Sequence, residues 1–200
     1  LDASNKVQSW IDQSPAGLLF DQPTSTKRPT VLASSFGNMP SISFTGGQWF
    51  SGGDVLDLGN TSRSMFIVGR VNGNNQTFFS KSVLASAPNL YGLLTYFTNQ
   101  VWFLNFDSFS ADKSVLSANN TAPYGLFKLY NLIHDRVNLQ NKLFINSLSF
   151  GLNTINSSSN SNSTHRFLIG AYNNATDNGE NYLLNGQISE MIFSDSQNSV

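Results

Sequence analysis

The sequence predicts an all-β domain built as a sandwich or a barrel, and three observations lead to that prediction. Turn-forming residues recur at short intervals, and the segments between them are short and rich in Val, Ile, Phe, Tyr and Leu. Regular short strands separated by turns are typical of these two architectures. No long stretch has a helical period. Because 40% of the 200 residues are apolar, one sizeable core can form, and we expect a single domain over residues 1–200.

The first half of the chain supplies strand-like segments in order. Residues 6–14 place Trp10 and Asp12 before a polar loop, and a second segment follows at 37–46. Residues 64–70 have the composition of a central strand. Further strands are predicted at the apolar runs 78–79, 90–97 and 101–106. Gly-rich and Asn-rich turns separate these runs, so each predicted strand is short.

The second half continues with a predicted hairpin, formed by residues 128–137 and the run that starts at 142. Residues 143–150 are also apolar enough to form a strand. The polar tract 153–164 that follows has only Ile155 to bury, so it is expected to be a mobile surface loop. A disordered connection between strands is favoured here over a binding loop.

The last part of the chain, 166–194, predicts two strands around a polar loop. The second of these strands alternates apolar and polar residues with a period of two. The alternation places Leu184, Ile188 and Ile192 on one face. Glu190 interrupts that face.

Four of these segments resemble the concanavalin A-like jelly-roll domains, and among them the laminin-G-like branch. Residues 6–46 resemble the opening of such domains, 64–70 the central strand, 128–147 a hairpin and 166–194 the closing strands. Ser147 stands where that hairpin has Gly, which predicts another type of turn. The resemblance implies a jelly-roll sandwich of two antiparallel sheets, with Trp10 packed inside.

Composition narrows the classes of partner. Charged residues make up 12% of the chain and the net charge is −1, which leaves no basic surface for nucleic acid or for anionic lipid. No apolar run is long enough to insert into a membrane. The chain has no cysteine, which excludes a zinc-thiolate site and thiol catalysis. An uncharged, Asn- and Ser-rich surface favours an extracellular, cell-surface or virion location.

The sequence also predicts that the chain is not an enzyme. Glycoside hydrolases of this architecture use two carboxylates close together on one strand, but neither Glu180 nor Glu190 has an acidic residue two positions away. Asp54 and Asp57 are three residues apart, which would place them on opposite faces of a strand, and a solvated turn is the better interpretation. His134 is interpreted as a hydrogen-bonded residue at a polar strand end. No Gly-x-Ser-x-Gly sequence is present.

One loop has the composition of a calcium site. Residues 173–180 contain several carboxylate and amide oxygens, which are the ligands that calcium prefers. Laminin-G-like domains often hold calcium at a rim of the sandwich, so the resemblance implies Asp177 as a calcium ligand. An Asx-rich turn that stabilises itself is the competing interpretation.

Recognition of a sugar is the activity that the remaining residues favour. A saccharide site needs an aromatic platform beside amide and other hydrogen-bonding groups. Aromatic residues next to amides occur in three places, and they predict the ligand-binding residues Trp49, Tyr96, Asn99, Trp102, Asn105, Tyr172 and Asn173. Packing in the core or at the rim is the alternative for each of the aromatic residues.

Two functions are compatible with these residues. The first is a non-catalytic, lectin-like module of a surface or virion protein that binds a glycan or a cell-surface polysaccharide. The second is a structural or protein-attachment domain of a phage fibre, a capsid decoration or a bacterial adhesin, with a virion or adhesin protein as its partner. Burial of Trp49 and Trp102 would favour the second function. Exposed aromatic side chains along a groove would favour the first.

Overall fold

The computed structural model describes residues 4–57, 61–81, 90–96, 99–106, 115–119, 123–155, 163–173 and 180–194. In these residues two large antiparallel sheets form a jelly-roll sandwich, as predicted. The 3-10 turn Ser25–Lys27 is helical structure among them. None of the helices in this part of the chain is long and apolar enough to span a bilayer.

The first sheet has eight strands. In spatial order they are β1 (Ser9–Ile11), β2 (Leu19–Asp21), β5 (Phe50–Ser51), β14 (Phe167–Ile169), β7 (Gln76–Lys81), β8 (Leu90–Tyr96), β9 (Gln100–Phe106) and β10 (Val115–Leu116).

The second sheet has seven strands. In spatial order they are β13 (Leu148–Thr154), β12 (Gln140–Ile145), β11 (Lys128–Asp135), β6 (Arg63–Val71), β17 (Asn185–Ser194), β4 (Met39–Thr45) and β3 (Thr30–Phe36). Two short strands, β15 (Tyr172–Asn173) and β16 (Glu180–Asn181), pair with each other and form a separate two-stranded ribbon.

The core lies between the two sheets and is mostly aromatic. The rings of Phe79 and Phe167 stack with centroids 5.6 Å apart, and Phe193 of the opposite sheet contacts Phe79 edge-on. Trp10 packs against this core and contacts Phe50 with ring centroids 6.2 Å apart, as the resemblance implied. Each fully buried Phe contributes about 1.5–3 kcal/mol of hydrophobic stabilisation, so these contacts hold the sheets together.

β17 contains a β-bulge, which breaks the alternation predicted for its last residues. Ile188 pairs with Gly69 and Glu190 with Val68, so Ser189 is an extra residue in the strand. A bulge shifts the side-chain alternation by one position. Ile188 therefore faces the core, whereas Ile192 is 45% exposed, and the prediction that they share a face was wrong.

The predicted strand 143–150 is interrupted by a two-residue turn. Asn146 and Ser147 have φ values of 50° and 67°, which gives a hairpin between β12 and β13. Positive φ at both central residues is the mark of a type I′ turn, so the expected change of turn type at Ser147 was wrong. The start of the polar tract also differs from the prediction, because Asn153 and Thr154 belong to β13. Residues 156–162 of that tract lie outside the described residues.

The segment that contains Asp54 and Asp57 is anchored by a buried lysine. Lys81 Nζ lies 2.7 Å from Asp54 Oδ1 and 2.9 Å from Asp57 Oδ1, and it donates a hydrogen bond to the carbonyl of Val55. The Lys81 side chain is fully buried, whereas both carboxylates are partly exposed. Asp54 and Asp57 lie outside the strands and are both exposed, as the interpretation of a solvated turn expects, and the turn brings both carboxylates to one ammonium group.

Candidate functional site

Trp49 lies immediately before β5, on the side of the eight-stranded sheet that faces away from the core. Its neighbour Phe50 is fully buried in the core, and successive residues of an extended chain point to opposite sides. The Trp49 carbonyl accepts a hydrogen bond of 3.0 Å from the Gln22 side chain. The indole is half-buried, and its Nε1 is buried without a hydrogen-bond partner among the described residues.

Two cations contact the ring of Trp49. Lys27 Nζ is 5.6 Å from the ring centroid and Arg166 Cζ is 5.7 Å from it. Lys27 ends the 3-10 turn and Arg166 directly precedes β14, so segments distant in sequence bring both cations to one indole. Cations within about 6 Å of an aromatic face are attracted to its negative quadrupole.

Glu180 and Asn173 hold these cations in place. Glu180 Oε2 is 3.5 Å from Lys27 Nζ and its Oε1 is 3.7 Å from Arg166 Nη1. Arg166 Nη2 donates a 2.7 Å hydrogen bond to Asn173 Oδ1. Glu180 and Asn173 are paired across the β15–β16 ribbon, so the ribbon positions both groups. We call Lys27, Trp49, Arg166, Asn173 and Glu180 the Trp49 cluster.

A second aromatic group continues from the Trp49 cluster through Tyr172. Tyr172 is 5% exposed and packs with Leu94 and the half-buried Trp102. It also contacts Tyr182, with ring centroids 6.1 Å apart, and Tyr182 is 39% exposed. Tyr172 adjoins Asn173 in β15, so the two groups are neighbours along the chain. The Trp49 cluster contains the predicted binding residues Trp49 and Asn173, and the aromatic group contains Trp102 and Tyr172.

The other predicted binding residues are Tyr96, Asn99 and Asn105. Asn99 lies in the turn before β9, where its backbone has a φ of 59°. The side chains of Tyr96 and Asn105 lie outside the described residues, and so does Asp177 with its loop. These assignments stay predictions. Among the described residues no group of three or more His, Cys, Asp or Glu could hold a metal ion.

Three residues of the Trp49 cluster were missed in the sequence. Lys27 lies far along the chain from Arg166 and Glu180, and no motif of the sequence predicts that these three residues bind a ligand. The one signal in the sequence was the low content of charged residues, 12% of the chain. When charged residues are few, each of them is a candidate for a specific ion pair or binding contact. Separation in sequence hides such a cluster until the strand order is known.

The glutamates and the histidine considered for catalysis lie in separate parts of the structure. Glu180 belongs to the Trp49 cluster, whereas Glu190 is exposed on β17 in the other sheet. His134 is buried, and its Nδ1 lies 2.9 Å from Asn141 Oδ1. That contact agrees with the interpretation of His134 as a hydrogen-bonded residue of a strand end.

The Trp49 cluster can bind a polar ring that carries a negative group. The indole offers an aromatic surface, and Lys27 and Arg166, which lie over its ring, offer N–H donors beside it. The two cations are opposed by one carboxylate, which leaves one net positive charge. Both cations are partly exposed, with side-chain exposures of 46% for Lys27 and 26% for Arg166, so a ligand can reach them.

No protein-family model matches the chain, and no curated protein matches it. Solved structures do match it in fold. The LG4-5 domains of the mouse laminin alpha1 chain are 12% identical, with a TM-score of 0.58 over 77% of this chain and 40% of that one. The CBM40 of the Ruminococcus gnavus IT-sialidase, bound to α2,3 sialyllactose, is 14% identical, with a TM-score of 0.57 over 78% of this chain and 90% of that one.

A third match covers more of the chain. The binding domain of Paraclostridial Mosquitocidal Protein 1 is 9% identical, with a TM-score of 0.59 over 94% of this chain and 49% of that one. The chain therefore spans less than half of the laminin and mosquitocidal structures and most of the CBM40. At these identities the matches show the fold, which is a jelly-roll sandwich of the concanavalin A-like, laminin-G type.

Proposed function

We propose that the chain is a non-catalytic, lectin-like module that binds a glycan at the Trp49 cluster. The observation that carries the proposal is the half-buried indole of Trp49 with Lys27 and Arg166 on it, both fixed by Glu180. Sugar rings have weakly apolar faces that pack on an indole, and their hydroxyls need preorganised donors and acceptors. Asn173 and Arg166 are already oriented by their mutual hydrogen bond.

The charge of the cluster favours an acidic glycan. Two cations against one carboxylate attract a carboxylate or sulfate group, and Arg166 can bind such a group in a bidentate manner. A sialyl sugar carries a carboxylate, and the CBM40 with the same fold is bound to α2,3 sialyllactose. Glu180 competes with an acidic ligand for the two cations. We therefore expect Glu180 to lower the affinity for acidic sugars more than the affinity for neutral sugars.

The setting that we propose is extracellular, on a cell surface or a virion, because a module of weak single-site affinity gains avidity there from many copies. The alternative, a structural or protein-attachment domain, is tested by the same experiment. Trp49 and Trp102 are both half-buried, so the exposure of these two residues does not by itself favour either function.

Calcium binding by the loop around Asp177 is part of the proposal. That loop connects Asn173 to Glu180, the two residues of the Trp49 cluster that lie in the β15–β16 ribbon. An ion bound there would act on the glycan site through Asn173 and Glu180, so glycan affinity would depend on calcium. The link rests on oxygen-ligand chemistry and on the position of the loop in the chain.

A glycan array tests the proposal with the isolated chain, in calcium and in chelator. We expect saturable binding to glycans that carry a carboxylate or a sulfate. Trp49→Ala should lower the affinity for such a glycan at least tenfold, because the platform is lost. Arg166→Gln should lower it for acidic glycans more than for their neutral counterparts.

Lys128→Gln is the matched control for Arg166→Gln. It removes the same charge from β11, in the sheet that does not contain the cluster, and it should leave glycan binding unchanged. Absence of binding across the array in both buffers would favour the attachment function instead. Binding that survives Trp49→Ala would place the glycan elsewhere on the chain.

A further inference from the structure

One half of β17 has an open edge. β6 pairs with β17 from Gly186 to Ser194, whereas β4 pairs with it only from Asn185 to Ile188. Residues 189–193 therefore have no strand partner on the β4 side among the described residues. Along such an edge, alternate backbone N–H and C=O groups point outward and can pair with another strand. Five residues of strand span about 17 Å.

A cavity of about 940 Å³ runs along this edge. One wall consists of the six consecutive residues 189–194, so the cavity contacts the backbone of β17 and both of its faces. The opposite wall includes Trp10, Leu18 and Phe20. Trp10 lies in β1, the terminal strand of the other sheet, which pairs with β2 on one side only in the described residues. The cavity thus lies between two open strand edges.

The polar groups around the cavity favour a basic ligand. The residues that line the cavity include the carboxylates of Asp12 and Glu190 and one guanidinium, that of Arg63, while a third carboxylate, Asp57, is already bound by Lys81. The hydrogen bond from the Ser14 side chain lowers the pKa of Asp12, which keeps this carboxylate ionised. Ser189 Oγ is buried and has no hydrogen-bond partner in the described part of the chain.

We propose that this cavity binds an extended peptide segment of a partner protein, which pairs with residues 189–193 as an added strand. Apolar side chains at every second position of the peptide pack toward Trp10 and Phe20. A Lys or Arg between them pairs with Glu190 and Asp12. Strand addition fits because the cavity offers a row of backbone donors and acceptors beside an apolar wall, which is how exposed sheet edges recognise peptides.

A random library of nine-residue peptides, selected on the chain, supplies the probe. We expect enriched sequences that alternate apolar residues and contain Lys or Arg. The best peptide is then synthesised in two forms, with N-methyl groups on its odd or on its even residues. Only alternate amides of an added strand face β17, so one form should lose at least tenfold in affinity and the other should bind normally. Equal binding of both forms would overturn the proposal.

The location is tested with hydrogen exchange and with a charge variant. Bound peptide should slow exchange of the outward-facing amides within 189–193. Glu190→Lys should weaken peptide binding roughly threefold, as expected for an exposed ion pair. Leu126→Lys is the control for an added lysine, since it places this side chain at an exposed position beyond the other end of β6. Failure to enrich any peptide that protects these amides, or self-association of the chain through this edge, would overturn the proposal.

Discussion

At the scale of single residues, Lys81 shows how this chain uses its few charges. The side chain is fully buried, yet its ammonium group contacts Asp54, Asp57 and the carbonyl of Val55. These contacts tie the segment before β6 to β7 in the middle of the eight-stranded sheet. A buried ammonium is tolerated only while its partners remain, whereas the two carboxylates are exposed enough to be hydrated alone.

Because the ammonium is buried and the carboxylates are exposed, removing the carboxylates should destabilise the chain more than removing the lysine. The double variant Asp54→Asn with Asp57→Asn should lower the free energy of unfolding by about 3 kcal/mol, because it leaves a buried charge without a counter-ion. Lys81→Met should cost less, about 1 kcal/mol, because an apolar side chain replaces the buried charge. Urea denaturation at pH 7 measures both. A larger loss for Lys81→Met would contradict this account of the site.

Asp135 is the second buried charge with a specific set of partners. Burial raises the pKa of this carboxyl, but hydrogen bonds from Asn138 and Lys142 outweigh burial and hold the pKa below its usual range. A carboxyl whose pKa is lowered by folding stabilises the protein above its unfolded pKa of about 4. That stabilisation is lost as the pH falls from about 4 toward the folded pKa.

Asp135→Asn should therefore lower the free energy of unfolding by about 2 kcal/mol at pH 7. The difference between the variant and the wild-type chain should shrink at pH 3, where the wild-type carboxylate is partly protonated in the unfolded state. Denaturant unfolding at the two pH values measures the difference. A difference that does not change with pH would show that Asp135 acts through shape and not through charge.

Residue types in the sequence predicted part of the Trp49 cluster but not its charged members. Trp49 and Asn173 were proposed because aromatic and amide side chains suit a sugar. Lys27 and Arg166 could not be found in this way, because only the order of the strands brings them to one indole. A contact between residues so distant in sequence leaves no local pattern.

At the scale of elements, β17 organises the seven-stranded sheet. It pairs with β6 on one side and with β4 on the other. The sequence predicted this strand and its early alternation, but not the bulge at Ser189. A bulge depends on pairing with the neighbouring strand, and the period of a single strand does not contain that information. The same bulge marks where β4 pairing ends and the open edge begins.

Gly186 is the position where β17 tolerates least change. A Cβ at this residue would meet the carbonyl oxygen of Arg70 in the neighbouring β6. Gly186→Ala should lower the free energy of unfolding by at least about 2 kcal/mol, because backbone atoms must move. Gly47→Ala is the matched control, since a Cβ there meets nothing within 4 Å, and it should change stability by less than about 0.5 kcal/mol. Thermal unfolding compares the two, and equal effects would contradict the close approach of β6 and β17.

At the scale of the whole molecule, the sequence predicted the jelly-roll sandwich because its pattern is repeated and its segments occur in order. Short strands and turns predicted the class, and the four segments of residues 6–46, 64–70, 128–147 and 166–194 predicted the family of folds. The single domain over residues 1–200 stays a prediction, which one calorimetric unfolding transition would support. The two proposed binding regions lie in different parts of this sandwich, and each contains one tryptophan.

The three tryptophans of the chain allow one direct test of the central claim, glycan binding at Trp49. Trp10 lines the cavity beside β17, Trp49 contacts two cations and Trp102 packs on Tyr172. We would titrate the ¹⁵N-labelled chain with sialyllactose and with the best acidic glycan of the array, and follow the three indole N–H resonances. Glycan binding at Trp49 predicts a saturable shift of its resonance while that of Trp10 stays in place. A Trp49 resonance that does not move at saturating glycan would contradict the claim.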